Sequence, residues 1–207
     1  MIATRLSAGT GRSTTALCVP FSTNCERIAL AAGHKTVELA WVEVPYDDRA
    51  EIERVSGQTL TPVLVDGETV LHDSPVILRW LDERFPEPPL WPADEARRAE
   101  VDVFCDWFNR LWKRPPNLIA AGRDAAKCGP RITASLDLFE SLLVGRDYLF
   151  GEFCVADITA YPFLKYAVLW DEGDEHEFHR ILQQWLPIEG HPRVEAWIHR
   201  VRDHPRS

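Results

Sequence analysis

Ser22 and Cys25 bring a hydroxyl and a thiol to the predicted start of a helix. Thr23 and Glu26 form a T-x-x-E capping box, which makes Thr23 the predicted N-cap and Ser22 the residue before it. The first backbone N–H groups of a helix have no partner within the helix, and the helix dipole adds a positive potential there. A hydroxyl that donates to a sulfur atom at this point would favour the thiolate, which is the reactive form of a thiol.

A second helix start lies at Asp73-Ser74-Pro75. The sequence predicts that Ser74 caps this helix and that Pro75 occupies its first position. The hydroxyl and the N-terminal N–H groups can hold a carboxylate, and the Asp73 carboxylate can hold an ammonium group. An ordinary helix cap explains Ser74 equally well, so Asp73 is the more informative residue of the pair.

Alternating strand and helix patterns place these two helix starts within one small domain. The predicted elements are strands over 15–19 and 37–44, a helix from Thr23 with Gly33 just past its end, a short helix over 49–55, strands over 63–65 and 69–71, and a helix from Ser74. Asp66-Gly67 between the last two strands is a strong hairpin signal. The predicted order is β-α-β-α-β-β-α.

Four prolines within residues 86–92 predict a stiff, extended connector. Everything beyond it shows a helical pattern, with stripes over 101–112, ending before Pro115-Pro116, and over 132–143, and with helices from Cys154, over 178–186 and over 192–201. We therefore divide the chain into a loose leader (1–13), an α/β domain (14–86), a linker (87–93) and an all-helical domain (94–207).

Composition excludes several kinds of site and partner. The five cysteines form no CxxC pair, so we expect neither a disulfide framework nor a metal site. The formal net charge of −9 argues against nucleic acid and anionic membrane surfaces as partners, because both require a basic patch. No apolar run approaches the length of a membrane span, and no signal-peptide pattern is present. We expect a cytoplasmic protein.

Four short segments resemble the glutathione-binding signature and the helix-capping element of the cytosolic glutathione transferases, and their order and spacing match. They are Phe21-Ser-Thr-Asn-Cys-Glu-Arg-Ile28, Thr61-Pro62-Val63-Leu64, Asp73-Ser74 and Val155-Ala156-Asp157. The resemblance covers about residues 15–204. It implies a thioredoxin-like N-terminal domain with a mixed four-stranded sheet, followed by an all-α domain. It also implies an enzyme of the detoxification type, in which glutathione, the co-substrate, attacks a small electrophile.

The resemblance assigns a role to each candidate site residue. Ser22 stands five residues before Arg27, as the catalytic serine does in the serine-type classes, and would stabilise the glutathione thiolate. Thr61 would precede a cis Pro62 and pair through its backbone with the cysteinyl part of glutathione. Asp73 and Ser74 would hold the γ-glutamyl ammonium and carboxylate. Gln58 is a weaker candidate for a polar contact to the peptide.

Cys25 competes with Ser22 for the reactive role. Ser22-x-x-Cys25 is similar to a thioredoxin CxxC motif whose first cysteine has become serine. The second cysteine of such a motif faces inward, where burial raises its pKa and lowers its reactivity. We favour a structural thiol, and a mixed disulfide with glutathione and a direct catalytic role remain open.

The second substrate should lie between the domains. Six residues could line that cleft and suggest an aromatic electrophile: Trp107, Arg110, Trp112, Arg114, Tyr166 and Trp170. Two other functions stay open, a non-catalytic interaction module and an isomerase or reductase that uses glutathione. The family also implies a homodimer, to which the helix from Ser74 and the helix near Asp94 would contribute.

Overall fold

The computed structural model describes residues 14–207, so the predicted leader lies outside the described residues. The N-terminal half contains a four-stranded sheet in the order β2-β1-β3-β4, with β1 and β2 parallel and the other pairs antiparallel. The strands are β1 (Thr15–Cys18), β2 (Ala40–Glu43), β3 (Val63–Asp66) and β4 (Thr69–His72). The predicted mixed sheet is confirmed.

Three helices pack around this sheet: α1 (Thr23–His34), α2 (Ala50–Ser56) and α3 (Ser74–Arg84). The caps of α1 and α3 lie one residue earlier than the sequence predicts. Ser22, not Thr23, is the N-cap of α1, and Asp73, not Ser74, is the N-cap of α3. At α1 the Ser22 side chain makes the capping hydrogen bond in place of Thr23. At α3 the Asp73 side chain makes none, and the helix start is defined by the hydrogen bonds that the Asp73 carbonyl accepts from Val76 and Ile77.

Gly33 does not end α1 as the sequence predicts, since the helix continues to His34. A Cβ atom on Gly33 would lie 2.2 Å from the carbonyl oxygen of Pro205, so this position requires glycine for a close approach of the chain. Ser207 continues along the same surface, and its hydroxyl accepts a hydrogen bond from the Leu39 N–H at 2.8 Å. Strand β2 is also shorter than the predicted 37–44.

The C-terminal half is helical, as predicted. Its helices are α4 (Glu95–Trp107), α5 (Arg114–Ala120), α6 (Ala125–Leu142), α7 (Val155–Leu164), α8 (Glu177–Trp185) and α9 (Pro192–Arg202). A π-helical turn (Phe108–Trp112) follows α4 directly. The helical stripe over 101–112 ends before Pro115-Pro116, as predicted, and both prolines lie in the first turn of the separate helix α5, where a missing N–H costs nothing.

The two halves share one hydrophobic core. Leu90 and Trp91, inside the predicted linker, are buried, and the Leu90 carbonyl accepts a hydrogen bond from the Val155 N–H at the start of α7. Helix α7 is buried along its whole length and packs on α1. The linker therefore fixes the second half against the first. None of the helices within residues 14–207 is long and apolar enough to cross a membrane.

Candidate active site

Ser22 lies at the N-terminus of α1, where its Oγ accepts a hydrogen bond from the Cys25 N–H at 3.3 Å. The side chain is half-buried and faces a cavity between the two halves of the molecule. A serine hydroxyl can accept at one lone pair and still donate its hydrogen elsewhere. Capping the helix therefore uses only a lone pair of the Ser22 hydroxyl, and its one hydrogen can be donated either to the neighbouring Cys25 sulfur or to the sulfur atom of a ligand.

Cys25 is a second polar group at this helix start. It is buried, and its thiol lies beside the Cys18 thiol and the hydroxyls of Ser22 and Thr61. Burial opposes the charged form, but hydrogen bonds from Cys18, Ser22 and Thr61 lower the pKa of the Cys25 thiol below its ordinary value. The hydrogen bond with Cys25, followed by burial, raises the pKa of the Cys18 thiol. The sequence predicts that burial raises the pKa of Cys25, and this direction is wrong because polar rather than apolar groups surround its sulfur.

The Thr61-Pro62 peptide bond is cis, as the resemblance implies. No hydrogen bond within residues 14–207 engages the backbone N–H or C=O of Thr61, so both groups are available to a ligand. Gln58 faces its own loop instead. Its side-chain amide donates to Ser56 Oγ at 2.8 Å and to the Leu60 carbonyl at 2.9 Å, and its Oε1 accepts from the Leu60 N–H.

Asp73 adopts a positive φ of 72° and makes no side-chain hydrogen bond to the turn it caps. Its exposed carboxylate is therefore free of the capping role. Ser74 is buried, and its hydroxyl accepts a hydrogen bond from Arg27 Nη1 at 3.2 Å and lies 3.4 Å from Asn24 Oδ1. The start of α3 thus presents an exposed carboxylate from Asp73 and a buried hydroxyl from Ser74.

Arg27 joins both helix starts to the helical half. Its guanidinium donates to the Thr159 carbonyl at 2.7 and 3.0 Å, and to Asn24 Oδ1 and Asn109 Oδ1 at 3.2 and 2.9 Å. Burial lowers the pKa of Arg27 to about 10, so the group remains a cation at neutral pH. Every one of these acceptors is a neutral oxygen, and the positive charge is therefore uncompensated locally.

The cavity beside Ser22 has a volume of about 500 Å³. Ser22, Thr61 and Asn24 line its N-terminal wall, and Lys113 and Phe163 line the opposite wall. Aromatic, histidine and charged side chains also line it, among them Phe21, Tyr46, Arg49, His176, Glu177, Phe178 and His179. A second cavity of about 450 Å³ adjoins the other side of Ser22 and includes Cys18, Trp41 and Lys165. Ser22 lies at the junction of the two.

The structure brings together part of the predicted site. Ser22 and Thr61 share one cavity, and Asn24 connects that cavity to Ser74. The structure also gives a cis Pro62, whereas the Gln58 amide is bound within its own loop. None of the six residues expected to hold the second substrate lines this cavity. Trp112, for example, is buried and stacks on Phe108 at 4.4 Å.

Sequence reasoning missed several residues at this cavity, among them Asn24 and Lys113. Lys113 Nζ donates a hydrogen bond to Asn24 Oδ1 at 3.3 Å and lies 4.9 Å from the centre of the Phe163 ring. Burial and the neighbouring Arg27 lower the pKa of Lys113 to about 7, against the opposite effect of Asp73. The π-helical turn that precedes Lys113 changes the direction in which the following side chains point, and a regular helical pattern does not predict it.

Two family models together cover most of the chain. The glutathione S-transferase N-terminal domain matches residues 18–89, and the glutathione S-transferase C-terminal domain matches residues 93–200.

Curated relatives agree with these matches. The chain is 39% identical to glutathione S-transferase Z1 of Arabidopsis thaliana over 35% of this chain and 34% of the plant protein. It is 31% identical to a stringent starvation protein A homolog of Coxiella burnetii over 70% of this chain and 68% of the relative. It is 37% identical to maleylpyruvate isomerase of a Ralstonia species over 46% of this chain and 52% of the relative. The matches thus span about a third of the first relative and about half of the third.

Solved structures share the fold. A Tau class glutathione S-transferase from mango (Mangifera indica) has a TM-score of 0.77 at 18% identity, covering 93% of this chain and 90% of the mango chain. A bacterial maleyl pyruvate isomerase of the Zeta class has a TM-score of 0.68 at 24% identity, covering 90% and 91%. The solved structures agree in fold with the two domain matches, which together cover most of the chain, and the chain belongs to the glutathione S-transferase family.

Proposed function

We propose that the protein is a glutathione transferase of the serine type, in which Ser22 stabilises the glutathione thiolate for attack on a small electrophile. The observation that carries this proposal is the position of Ser22. Its hydroxyl lies at the N-terminus of α1, in an interdomain cavity that also contains the free backbone groups of Thr61. A hydroxyl, a helix N-terminus and a peptide-binding edge converge there.

Glutathione would bind along the N-terminal wall of the cavity and extend beyond its lining to Asp73 and Ser74 at the start of α3. Its cysteinyl backbone would pair with the N–H and C=O of Thr61 beside Pro62, as an added strand pairs with a sheet edge. The γ-glutamyl carboxylate would take the Ser74 hydroxyl and the N-terminal N–H groups of α3. The γ-glutamyl ammonium would take the exposed Asp73 carboxylate, which has no partner within residues 14–207. Gln58 could contact the peptide if it left its own loop.

The chemical step needs one hydrogen bond donor. Glutathione loses its thiol proton to solvent, and the Ser22 hydroxyl donates to the resulting thiolate, which lowers the pKa of the bound thiol. The thiolate sulfur then attacks the electrophilic carbon. A carbon–sulfur bond forms, and the leaving group departs with the electrons of its bond. Cys25 lies behind Ser22 as a buried thiol and is not required in this scheme.

Glutathione-dependent isomerisation is the second candidate function. Two of the compared proteins carry the name maleylpyruvate isomerase, one a curated relative and one a solved structure. The same thiolate would add to a double bond and leave again once the carbon–carbon bond had rotated. Glutathione would then be regenerated rather than consumed, so the amount of glutathione used per product distinguishes the two reactions.

The decisive experiment measures glutathione binding and consumption by the purified protein. Retention on immobilised glutathione, the ultraviolet absorbance of the bound thiolate and conjugation of a nitroaryl chloride are expected together. Turnover without loss of glutathione would select the isomerase. A protein that neither binds glutathione nor shows thiolate absorbance would be a non-catalytic interaction module instead.

We also propose a cytoplasmic homodimer with no nucleic acid or membrane partner and no metal, acting on small electrophiles in detoxification. Val76 on α3 and Val103 on α4 support the dimer, because their side chains are 49% and 70% exposed on the two helices that family members use for a two-fold contact. A monomer by light scattering at micromolar concentration would refute this assembly.

A further inference from the structure

Lys113 differs from every other lysine of the chain. Lys35 pairs with Asp82 at 2.7 Å, Lys127 pairs with Asp124 at 3.4 Å, and Lys165 pairs with Glu26 at 2.7 Å. Among residues 14–207, no carboxylate lies within ion-pair distance of Lys113 Nζ, and its one hydrogen bond goes to the neutral oxygen of Asn24. An ammonium group can donate three hydrogen bonds, so this one is left with unused capacity on the wall of a cavity.

The surroundings of Lys113 leave its charge uncompensated. The guanidinium of Arg27, which shares the acceptor Asn24 Oδ1, is fully buried and also lacks a carboxylate partner in the described chain. Asp73 is the acidic residue whose charge raises the pKa of both Arg27 and Lys113, but its side chain contacts neither of them. Two neighbouring cations without a counter-ion favour the arrival of an anion.

The position of Lys113 assigns that anion to the second substrate. Every group that the proposed function gives to glutathione lies in the N-terminal half, whereas Lys113 lies between the π-helical turn and α5, on the helical wall. The same wall offers apolar surface from Phe163, Phe178 and Ala120. It also includes the Glu177 side chain, which is not within ion-pair distance of Lys113. A substrate that fits both the Lys113 ammonium group and the apolar side chains of this wall has a flat apolar body and an acidic group.

We propose that Lys113 binds a carboxylate of the second substrate, and that the enzyme therefore selects acidic electrophiles with an unsaturated or aromatic body. This inference rests on the proposed function, since it names the substrate class of the same site. Lys113 determines specificity and takes no part in bond making. The neutral aromatic electrophile that the sequence suggests would still react, but it would leave the ammonium group without its partner.

A matched pair of substrates tests the inference. In 4-chloro-3-nitrobenzoate and 4-chloro-3-nitrobenzamide, the glutathione thiolate displaces chloride from the same ring carbon, and the two compounds differ in charge. Their purified glutathione conjugates permit a binding measurement by calorimetry that needs no turnover. We expect the carboxylate conjugate to bind the wild-type protein about tenfold more tightly than the amide conjugate, as one charged hydrogen bond implies.

Three variants complete the experiment. Lys113→Met keeps the apolar stem and should abolish the tenfold preference, whereas Lys113→Arg should retain most of it. Arg114→Met is the matched control, because Arg114 is the exposed neighbour and does not line the cavity. It should leave the preference unchanged. Melting temperatures of all three variants identify any loss of fold.

Each other outcome overturns the inference. Equal affinities of the wild-type protein for the two conjugates would show that Lys113 does not bind the carboxylate of the second substrate. A preference for the carboxylate conjugate that survives in Lys113→Met would show the same. A loss of affinity for free glutathione equal to the loss for the carboxylate conjugate would assign Lys113 to the carboxylate of glutathione itself. Failure of the proposed function differs from all of these, because it abolishes turnover of both substrates and binding of glutathione. Titration of 3-nitrobenzoate against 3-nitrobenzamide then tests Lys113 without any glutathione.

Discussion

Two buried helix starts in this molecule have opposite environments. At the start of α7, the Asp157 carboxylate accepts hydrogen bonds from the N–H groups of Leu149 and Cys154 at 3.0 and 3.1 Å and from Trp197 Nε1 at 2.8 Å. At the start of α1, Ser22 satisfies one N–H group and faces a cavity. The first helix start is filled by the protein's own anion. The second has room for an anion from outside.

This difference separates a structural helix N-terminus from a functional one. Burial raises the pKa of the Asp157 carboxyl to about 6, while the hydrogen bonds it accepts oppose that shift. A buried anion of this kind fixes the protein around it and leaves no space for a ligand. We infer that the chemistry of a helix N-terminus depends on whether the chain has already supplied the negative group.

The largest expected effect concerns the filled site. Asp157→Ala would leave three buried donors without an acceptor, so it should lower the free energy of unfolding by roughly 3 kcal/mol or more. Urea denaturation measures this loss. Asp124→Ala is the matched control, because Asp124 caps the exposed start of α6, where the loss should be about 1 kcal/mol. Equal losses in the two variants would contradict the contrast.

The next effect concerns the open site. Ser22→Ala should lower the thiol-transfer rate about 10²-fold, because it removes the donor to the thiolate, and should cost about 1 kcal/mol of stability as a lost cap. Glutathione affinity should change little. Steady-state kinetics from about pH 6 to about pH 9 provide the measurement. Full activity across that range would show that Ser22 is only a cap, and Cys25→Ala would then be the variant to test.

Asp73→Asn should weaken glutathione binding by about 2 kcal/mol, since it removes the partner of the γ-glutamyl ammonium. Stability should be preserved, because the carboxylate makes no capping hydrogen bond and asparagine tolerates the positive φ of this position. Calorimetric titration measures the glutathione affinity, and a melting curve measures the stability. An unchanged affinity with a clearly lower melting temperature would remove Asp73 from the ligand model.

The smallest effect is a pH dependence. Burial and Arg27 lower the pKa of Lys113 to about 7, with Asp73 acting in the opposite direction, so the ligand-free ammonium is charged below that pH and loses its charge as the pH rises. The preference for the carboxylate conjugate should therefore be full near about pH 6 and should shrink by about pH 8.5. The conjugates contain no free thiol, and the same titration of Lys113→Met separates the contribution of Lys113 from that of His176 and His179, which line the same cavity. A preference that grows with pH would have the wrong sign.

The resemblance predicted those parts of the site that lie within short segments. Ser22 at the start of α1 and the cis Thr61-Pro62 bond each belong to a run of a few residues. The exact caps were wrong by one position, because Ser22 and Thr23 are both capping residues and the pattern alone cannot rank them. The division of the chain at residues 87–93 stays a proposal.

The helical wall of the cavity could not be predicted in the same way. Lys113 meets Asn24 across 89 residues of sequence, and no local pattern brings them together. The aromatic residues expected there lie on helical stripes, which indicate burial but not the neighbour against which each side chain packs. Trp112 and Tyr166 accordingly lie in the core.

The position of Arg27 also has a consequence for the order in which the protein can fold. The N-terminal half leaves the ribosome first. The acceptors Asn109 and Thr159, however, lie 82 and 132 residues beyond Arg27. Until they have been synthesised, α1 must either keep its guanidinium in water or bury a cation without those partners, and burial of that kind is strongly unfavourable. We therefore expect the first half to complete its interior only together with the second, so that the two halves fold as one cooperative unit despite the proline-rich boundary between them.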